Sequence, residues 1–190
     1  MTQPSGDEPT SEEQLRAVFV DSEPTSAPIV LVDYDPNWPV LYEREQRRIH
    51  AILGDRVVRV DHVGSTSVPG LAAKPVIDIL LVVQDSSDEP DYVPDLEAAG
   101  YVLRVREPDW YEHRLFKGPD TDINLHVHSP ESPEIRRHLL FRDRLRDNSE
   151  ERDLYLRTKR ELAAREWKYV QHYADAKTEV IEQILARAGA

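Results

Sequence analysis

The chain has 190 residues, 24 Lys plus Arg against 36 Asp plus Glu, a formal charge of −12 and no cysteine. That length fits one domain with a sizeable core, or a domain with an appendage, and the missing cysteines exclude disulfides, thiolate zinc sites and cysteine nucleophiles. The acidic balance argues against non-specific nucleic-acid binding while leaving room for a small basic site, and no apolar run or leader pattern suggests a membrane, so a soluble cytoplasmic protein is expected.

Residues 1–28 hold four of the 14 prolines, and Arg16 stands alone against six acidic residues. This composition predicts a flexible acidic leader with one short helix, capped at Ser11 with Gln14 three residues on, and striped by Leu15, Val18 and Phe19. Residues 29–190 read as a single domain. Ile29 to Val32 is a short apolar strand. Asp35-Pro36-Asn37-Trp38-Pro39 opens a helix to about Leu53, striped by Leu41, Glu45, Ile49 and Ile52 and stopped by Gly54-Asp55. Val57 to Val63 is a strand, and 64–74 is a loop of small and turn residues. Val76 to Val83 is the most apolar run of the chain and reads as a central strand buried on both faces. A helix at 91–99 ends at Gly100, a strand covers 101–106, and 110–117 with 122–128 form a hairpin. From residue 129 the pattern is helical. Ser132 caps a helix with Pro133 at its first position, Asn148 caps a second reaching Trp167, and a third carries Val170, Tyr173, Val180, Ile181, Ile184 and Leu185. The expected fold is α+β: a mixed sheet of about five strands flanked by helices, with a C-terminal helical unit at 129–190.

Four features carry chemistry. Asp78 lies within an apolar strand, where an ionised carboxylate costs several kcal/mol unless it is paired or bound. It either serves a metal or phosphate site or pairs with a local arginine. Gly64-Ser65-Thr66-Ser67 follows a strand. A glycine there lets a phosphate approach the backbone, and hydroxyls and amides donate to it. Together with Asp78, the turn makes a phosphate cradle beside a carboxylate on a neighbouring strand. The strand 122–128 alternates, placing Asp122, Asn124, His126 and His128 on one face. His113 and His62 could converge there, which leaves a histidine metal site or an ordinary solvated face open. Lys74 and Lys177 are candidates to meet a triphosphate, alongside the arginines at 136, 137, 142, 144 and 146.

Several strings together resemble one family. Tyr34-Asp35-Pro36-Asn37-Trp38-Pro39, His62 to Leu71, Lys74-Pro75-Val76-Ile77-Asp78-Ile79, Asn124-Leu125-His126-Val127, Phe141 to Arg146 and the pair Tyr173 and Lys177 look like the GrpB family, in order over about residues 29–188. That family is similar to the nucleotidyltransferases of the polymerase-β type. The resemblance implies a Gly-Ser turn for nucleotide phosphates, matched by Gly64 and Ser65. It also implies an Asp-x-Asp pair holding Mg²⁺, of which Asp78 is the first member and Leu80 stands at the second. A third ligand would come from Asp122, Asn124 or His126. Some relatives are fused to dephospho-CoA kinase, pointing to a coenzyme-like small molecule. The leading expectation is Mg²⁺-dependent nucleotidyl transfer from a nucleoside triphosphate to an acceptor. In it, Gly64, Ser65, Thr66, Ser67, Lys74 and Lys177 hold phosphates, Asp78, Asp122 and His126 hold metal, and Asp78, His126 and His113 are catalytic. The rival is a non-catalytic nucleotide- or coenzyme-binding scaffold that lost the second carboxylate at Leu80. A histidine-based metal hydrolase is a third reading.

Overall fold

The computed structural model describes residues 10–189. In chain order its elements are α1 (Glu12–Val18), α2 (Trp38–Leu53), β1 (Arg59–Val63), β2 (Ile77–Val82), α3 (Glu89–Ala98), β3 (Val102–Glu107), β4 (His113–Lys117), β5 (Ile123–His128), α4 (Pro133–Asp147), α5 (Ser149–Ala163), α6 (Val170–Asp175) and α7 (Thr178–Arg187). The strands form one sheet in the order β1-β2-β5-β4-β3. Only β2 and β5 run parallel; the other neighbouring pairs are antiparallel.

The two faces of this sheet have different fates. Ile77, Ile79 and Leu81 of β2 and Ile123, Leu125 and Val127 of β5 point to one side. There they pack with Phe116 and Leu103 against Trp38, Ile49 and Leu53 of α2 and Tyr92, Val93 and Leu96 of α3. Each such fully buried side chain contributes about 1.5–3 kcal/mol. Glu45 is also buried in α2, accepting from Tyr101 Oη at 2.8 Å and pairing with Arg48 at 3.2 Å. On the opposite face Val63, Leu80 and Val82 are buried beneath Ile135 and Leu139 of α4. α4 in turn contacts α5 and α7. Asp78 lies on this second face too, because the β2–β5 register sets Asp78 beside Asn124 and Leu80 beside His126.

Several expectations change. Residues 29–32 are not a sheet strand: Val32 makes one bridge to Ala73, and Val30 stays exposed. Ser132 precedes Pro133 but does not cap the helix with its side chain; its hydroxyl meets His128 Nδ1 at 3.1 Å. α5 ends at Ala163, so Trp167 lies beyond it and donates from Nε1 back to the Leu162 carbonyl at 2.8 Å. The third C-terminal helix is broken into α6 and α7 around Ala176 and Lys177. The capping box at Ser11 forms as expected, and so does the Asn148 cap on α5.

Where composition predicted a flexible leader, residues 10–28 lie docked. Leu15 is fully buried, Phe19 bridges Val105, and Val20 N donates to the Arg104 carbonyl at 3.0 Å. At the far side the Thr25 carbonyl accepts from Val170 N at 2.9 Å, and Thr10 N donates to Asp175 at 3.0 Å. The first nine residues of that leader lie outside the described residues. Among the described residues no helix is long and apolar enough to cross a membrane.

Candidate functional site

A cleft of about 810 Å³ opens over the second sheet face, between the docked arm, α6 and the loop at Lys74. Its volume suits a small organic ligand. Asp78, Asn124, His126, His113 and Leu115 line its sheet side, while Ser65, Lys74, Lys159, Tyr173 and Lys177 surround them.

The Gly64 turn and Asp78 are in contact, as their positions in the sequence suggested. Gly64 adopts φ +67°, a backbone conformation that side chains rarely accept, and a Cβ built on it would lie 2.9 Å from both Cβ and Cγ of Asp78. Glycine is therefore required twice here, by the turn and by the carboxylate packed over it. Asp78 accepts from Asn124 Nδ2 at 2.7 Å and faces His126 Nε2 at 3.7 Å. Burial acts to raise its pKa, but its polar and charged neighbours, Asn124 and Lys177 among them, outweigh it and hold the carboxyl below its ordinary value.

Not all of the turn is available to a ligand. Thr66 Oγ1 donates to the Val76 carbonyl at 3.2 Å and Ser67 Oγ to the Gly64 carbonyl at 2.6 Å, and both residues are buried. Their hydroxyls brace the turn, which corrects the expectation that they bind phosphate. Ser65 lines the cleft, beside Tyr155. The five candidate arginines of the helical unit are committed elsewhere. Arg146 clamps the Ser67 carbonyl at 2.8 Å, Arg142 pairs with Asp143 and Asp61, Arg144 with Glu151, Arg137 with Glu182, and Arg136 donates to the Gly189 carbonyl.

The lysines remain, and there are three rather than two. Lys74 and Lys177 line the cleft as expected, Lys177 with its Nζ 4.6 Å from the centre of the Tyr173 ring. Lys159, which the sequence reading missed, joins them from α5. It is 2% exposed, donates to the Ala72 carbonyl at 2.6 Å and lies 5.2 Å from the Tyr155 ring centre. Burial pulls it down to about 7, and Lys177 adds to the effect while Asp78 opposes it. Lys74 is lowered by burial and by Lys177, and Lys177 by burial, in each case against the pull of Asp78. Asp78 is the carboxylate common to all three lysines, with Asp122 also acting on Lys74 and Asp175 on Lys177. Three lysines gathered in one cleft of a chain of net charge −12 form a place where an anion can be bound.

The expected metal set does not come together. Asp122 pairs with Lys117 at 2.9 Å at the cleft margin, with 61% of its side chain exposed. Leu80, at the second Asp-x-Asp position, is fully buried under α4, and the position beside Asp78 on β5 is the neutral Asn124. Among the described residues no group of three or more His, Asp or Glu side chains is placed to hold one metal ion. Asp122 is held by Lys117 and Asp78 by Asn124 among lysines, which does not fit the Mg²⁺ site expected from Asp78, Asp122 and His126.

The histidines partly converge. His113 stacks on His126 and His128 at 5.3 and 4.8 Å, and His138 of α4, which the sequence reading missed, lies 5.4 Å from His126. His62 goes to the other face, stacked on Tyr42 at 4.8 Å and bonded to Thr66. Burial pushes His113 down to about 4 and His128 to about 2, so both imidazoles are neutral near pH 7.

Residues 28–187 match the family model described as GrpB protein. The chain is 58% identical to a UPF0157 protein of Halalkalibacterium halodurans, covering all of this chain and 98% of that one. It is 33% identical to a dephospho-CoA kinase of Mycolicibacterium paratuberculosis over 73% of this chain and 40% of that protein. A crystal structure of a conserved protein GrpB from Enterococcus faecalis superposes with a TM-score of 0.74 at 32% identity, covering 84% of this chain and 96% of the other. The shared architecture is the nucleotidyltransferase-like mixed sheet flanked by helices.

Proposed function

Because the chain belongs to the GrpB family, we propose that its cleft binds the phosphate groups of a nucleotide or coenzyme-like small molecule without a two-metal centre. The observation that carries this reading is the convergence of Lys74, Lys159 and Lys177 on the cleft around Asp78. The lysines neutralise phosphate oxygens, and the bare backbone at Gly64 lets the ligand approach the turn. The kinship with dephospho-CoA kinases is compatible with a coenzyme-type ligand. Mg²⁺-dependent nucleotidyl transfer is the second reading. The contact between Gly64 and Asp78 favours it, but Leu80 and Asn124 stand where further carboxylates would be needed, so no step through the metal is derived.

Calorimetric titration of the full chain with inorganic tripolyphosphate and with ATP, in the presence of EDTA, tests the choice. Lys177→Met should weaken metal-free binding about tenfold or more, the loss of one charge-assisted contact. Asp78→Asn should preserve or tighten it, because a negative charge beside the phosphates is removed. Binding that needs Mg²⁺ and disappears in Asp78→Asn would overturn the proposal in favour of the transferase.

A further inference from the structure

The second sheet face carries a hydrogen-bonded line of groups that phosphate binding does not explain. Glu107 Oε2 on β3 meets His113 Nδ1 on β4 at 2.7 Å, His113 Nε2 meets His126 Nδ1 on β5 at 3.1 Å, and His126 Nε2 faces Asp78 Oδ1 on β2 at 3.7 Å. Glu107 and His113 are each 4% exposed, whereas His126 is open to the cleft with 20% of its side chain exposed. From this line the geometry points to an acid–base site at His126, whose Nε2 presents a lone pair to the cleft and takes the proton of a ligand hydroxyl, with Glu107 and His113 as positioning residues. This inference rests on the phosphate-binding reading and narrows its ligand to a hydroxyl-bearing phosphate compound, a ribonucleotide.

Glu107 can only accept, so the proton between it and His113 lies on His113 Nδ1. Burial acts to raise Glu107, but its bond to His113 and other charges keep it below its ordinary value, which leaves it ionised. A neutral His113 with its proton on Nδ1 has an accepting Nε2, so the contact at 3.1 Å requires the proton of His126 to lie on Nδ1. That leaves His126 Nε2 as an acceptor facing Asp78 Oδ1, which is itself an acceptor already bonded to Asn124. At 3.7 Å the two are not hydrogen-bonded to each other. Two acceptors face one opening with no donor between them, and a hydroxyl supplies the donor. The hydroxyl donates its hydrogen to Nε2, and a proton passing along that bond as the oxygen attacks an electrophile would give an imidazolium neutralised by Asp78. The other titratable groups around His126 are His138 of α4 and His128. Trp110 packs edge-on against His113 at 5.2 Å and shields the line from water.

The experiment has two arms on the full-length chain. Long-range ¹H–¹⁵N spectra of the imidazoles at pH 7.5 should place the proton of both His113 and His126 on Nδ1, the less common form of a free imidazole. Titration with inorganic tripolyphosphate, ATP and 2′,3′-dideoxy-ATP should show ATP binding about tenfold more tightly than the dideoxy analogue, the worth of one hydrogen bond to a buried acceptor. In His126→Asn, which keeps a donor toward His113 but removes Nε2, that ratio should fall to about one. A His126 proton on Nε2, or equal affinity for ATP and its dideoxy analogue, overturns the acid–base site while tripolyphosphate binding leaves the phosphate reading standing. Absence of binding by all three compounds overturns both.

Discussion

Gly64→Ala is the sharpest probe of the site, and Gly54→Ala is its control. Both glycines have positive φ, +67° with ψ −173° at Gly64 and +56° with ψ −128° at Gly54, so alanine strains the backbone at either place. That strain costs about 1–3 kcal/mol. The surroundings differ. Nothing lies within 4 Å of a Cβ at Gly54, whereas at Gly64 the Asp78 side chain occupies the space, with its Cβ and Cγ 2.9 Å away. Asp78 cannot swing aside without breaking its bond to Asn124. Overpacking of that kind adds about 1–3 kcal/mol. Gly64→Ala should therefore cost about 4 kcal/mol and Gly54→Ala about 2 kcal/mol. At 2–4 °C per kcal/mol for a chain of this size, the two melting points should differ by about 6 °C. Urea melts at constant m give the free energies, and a calorimetric scan gives the temperatures. If the two variants melt together, Asp78 does not cover the Gly64 turn, and the site as described is wrong.

Three further outcomes are expected. His62, His113 and His128 are each less than a tenth exposed and lowered by burial from 6.5 to about 4, 4 and 2. Because the folded values lie below the unfolded one, their stabilisation is present above pH 6.5 and is lost as pH falls through the window toward 4. At pH 5 the loss is about 2 kcal/mol for each, about 6 kcal/mol together, so urea midpoints should drop steeply between pH 7 and 5; a flat profile would mean that these rings are solvated. Lys159, lowered to about 7, is held at a penalty that is full below pH 7 and fades as pH rises toward 10.5. Lys159→Met should thus gain about 1–4 kcal/mol at pH 6, lose that gain by pH 10, and bind tripolyphosphate more weakly; a destabilised variant at pH 6 would show that the lysine has a partner holding its charge. Leu80→Asp should cost at least about 3 kcal/mol without creating Mg²⁺ affinity, since the new carboxylate would sit among Val63, Val82, Ile135 and Leu139; Mg²⁺-dependent protection against urea in that variant would favour the Mg²⁺-dependent transferase instead.

The parts of the site visible in the sequence were those encoded by local pattern. Strict alternation in Ile123 to Val127 placed Asn124 and His126 on one face, and a carboxylate within an apolar run marked Asp78. The parts that were missed depend on distant chain. Lys159 sits in a strongly charged helix segment where solvated lysines are the norm, and only the Ala72 carbonyl, 87 residues away, makes it a buried cation. His138 lies on a basic helix and joins the histidines through helix–sheet packing that no local spacing reports. Ile29 to Val32 shows the reverse error. Its apolar run suggested a strand, but it has no neighbour to pair with beyond Ala73. Thr66 and Ser67 had the right chemistry for phosphate, yet backbone carbonyls within reach took both hydroxyls first.

The docked arm has a consequence for how the molecule avoids its own kind. β3 is an outer strand of the sheet, and an unpaired outer strand is a template for joining another chain. Phe19 and Val20 occupy that edge at Val105 and Arg104, and Leu15 anchors them. The match to the family model begins at residue 28, so this cover lies outside it, although the Halalkalibacterium halodurans relative matches along the whole chain. A chain trimmed to that boundary would bare the backbone of β3 beside the exposed Val102 and would add strands edge to edge with its copies. Self-association of the trimmed chain, relieved by supplying residues 10–27 as a separate peptide, would show that the arm acts as a guard strand.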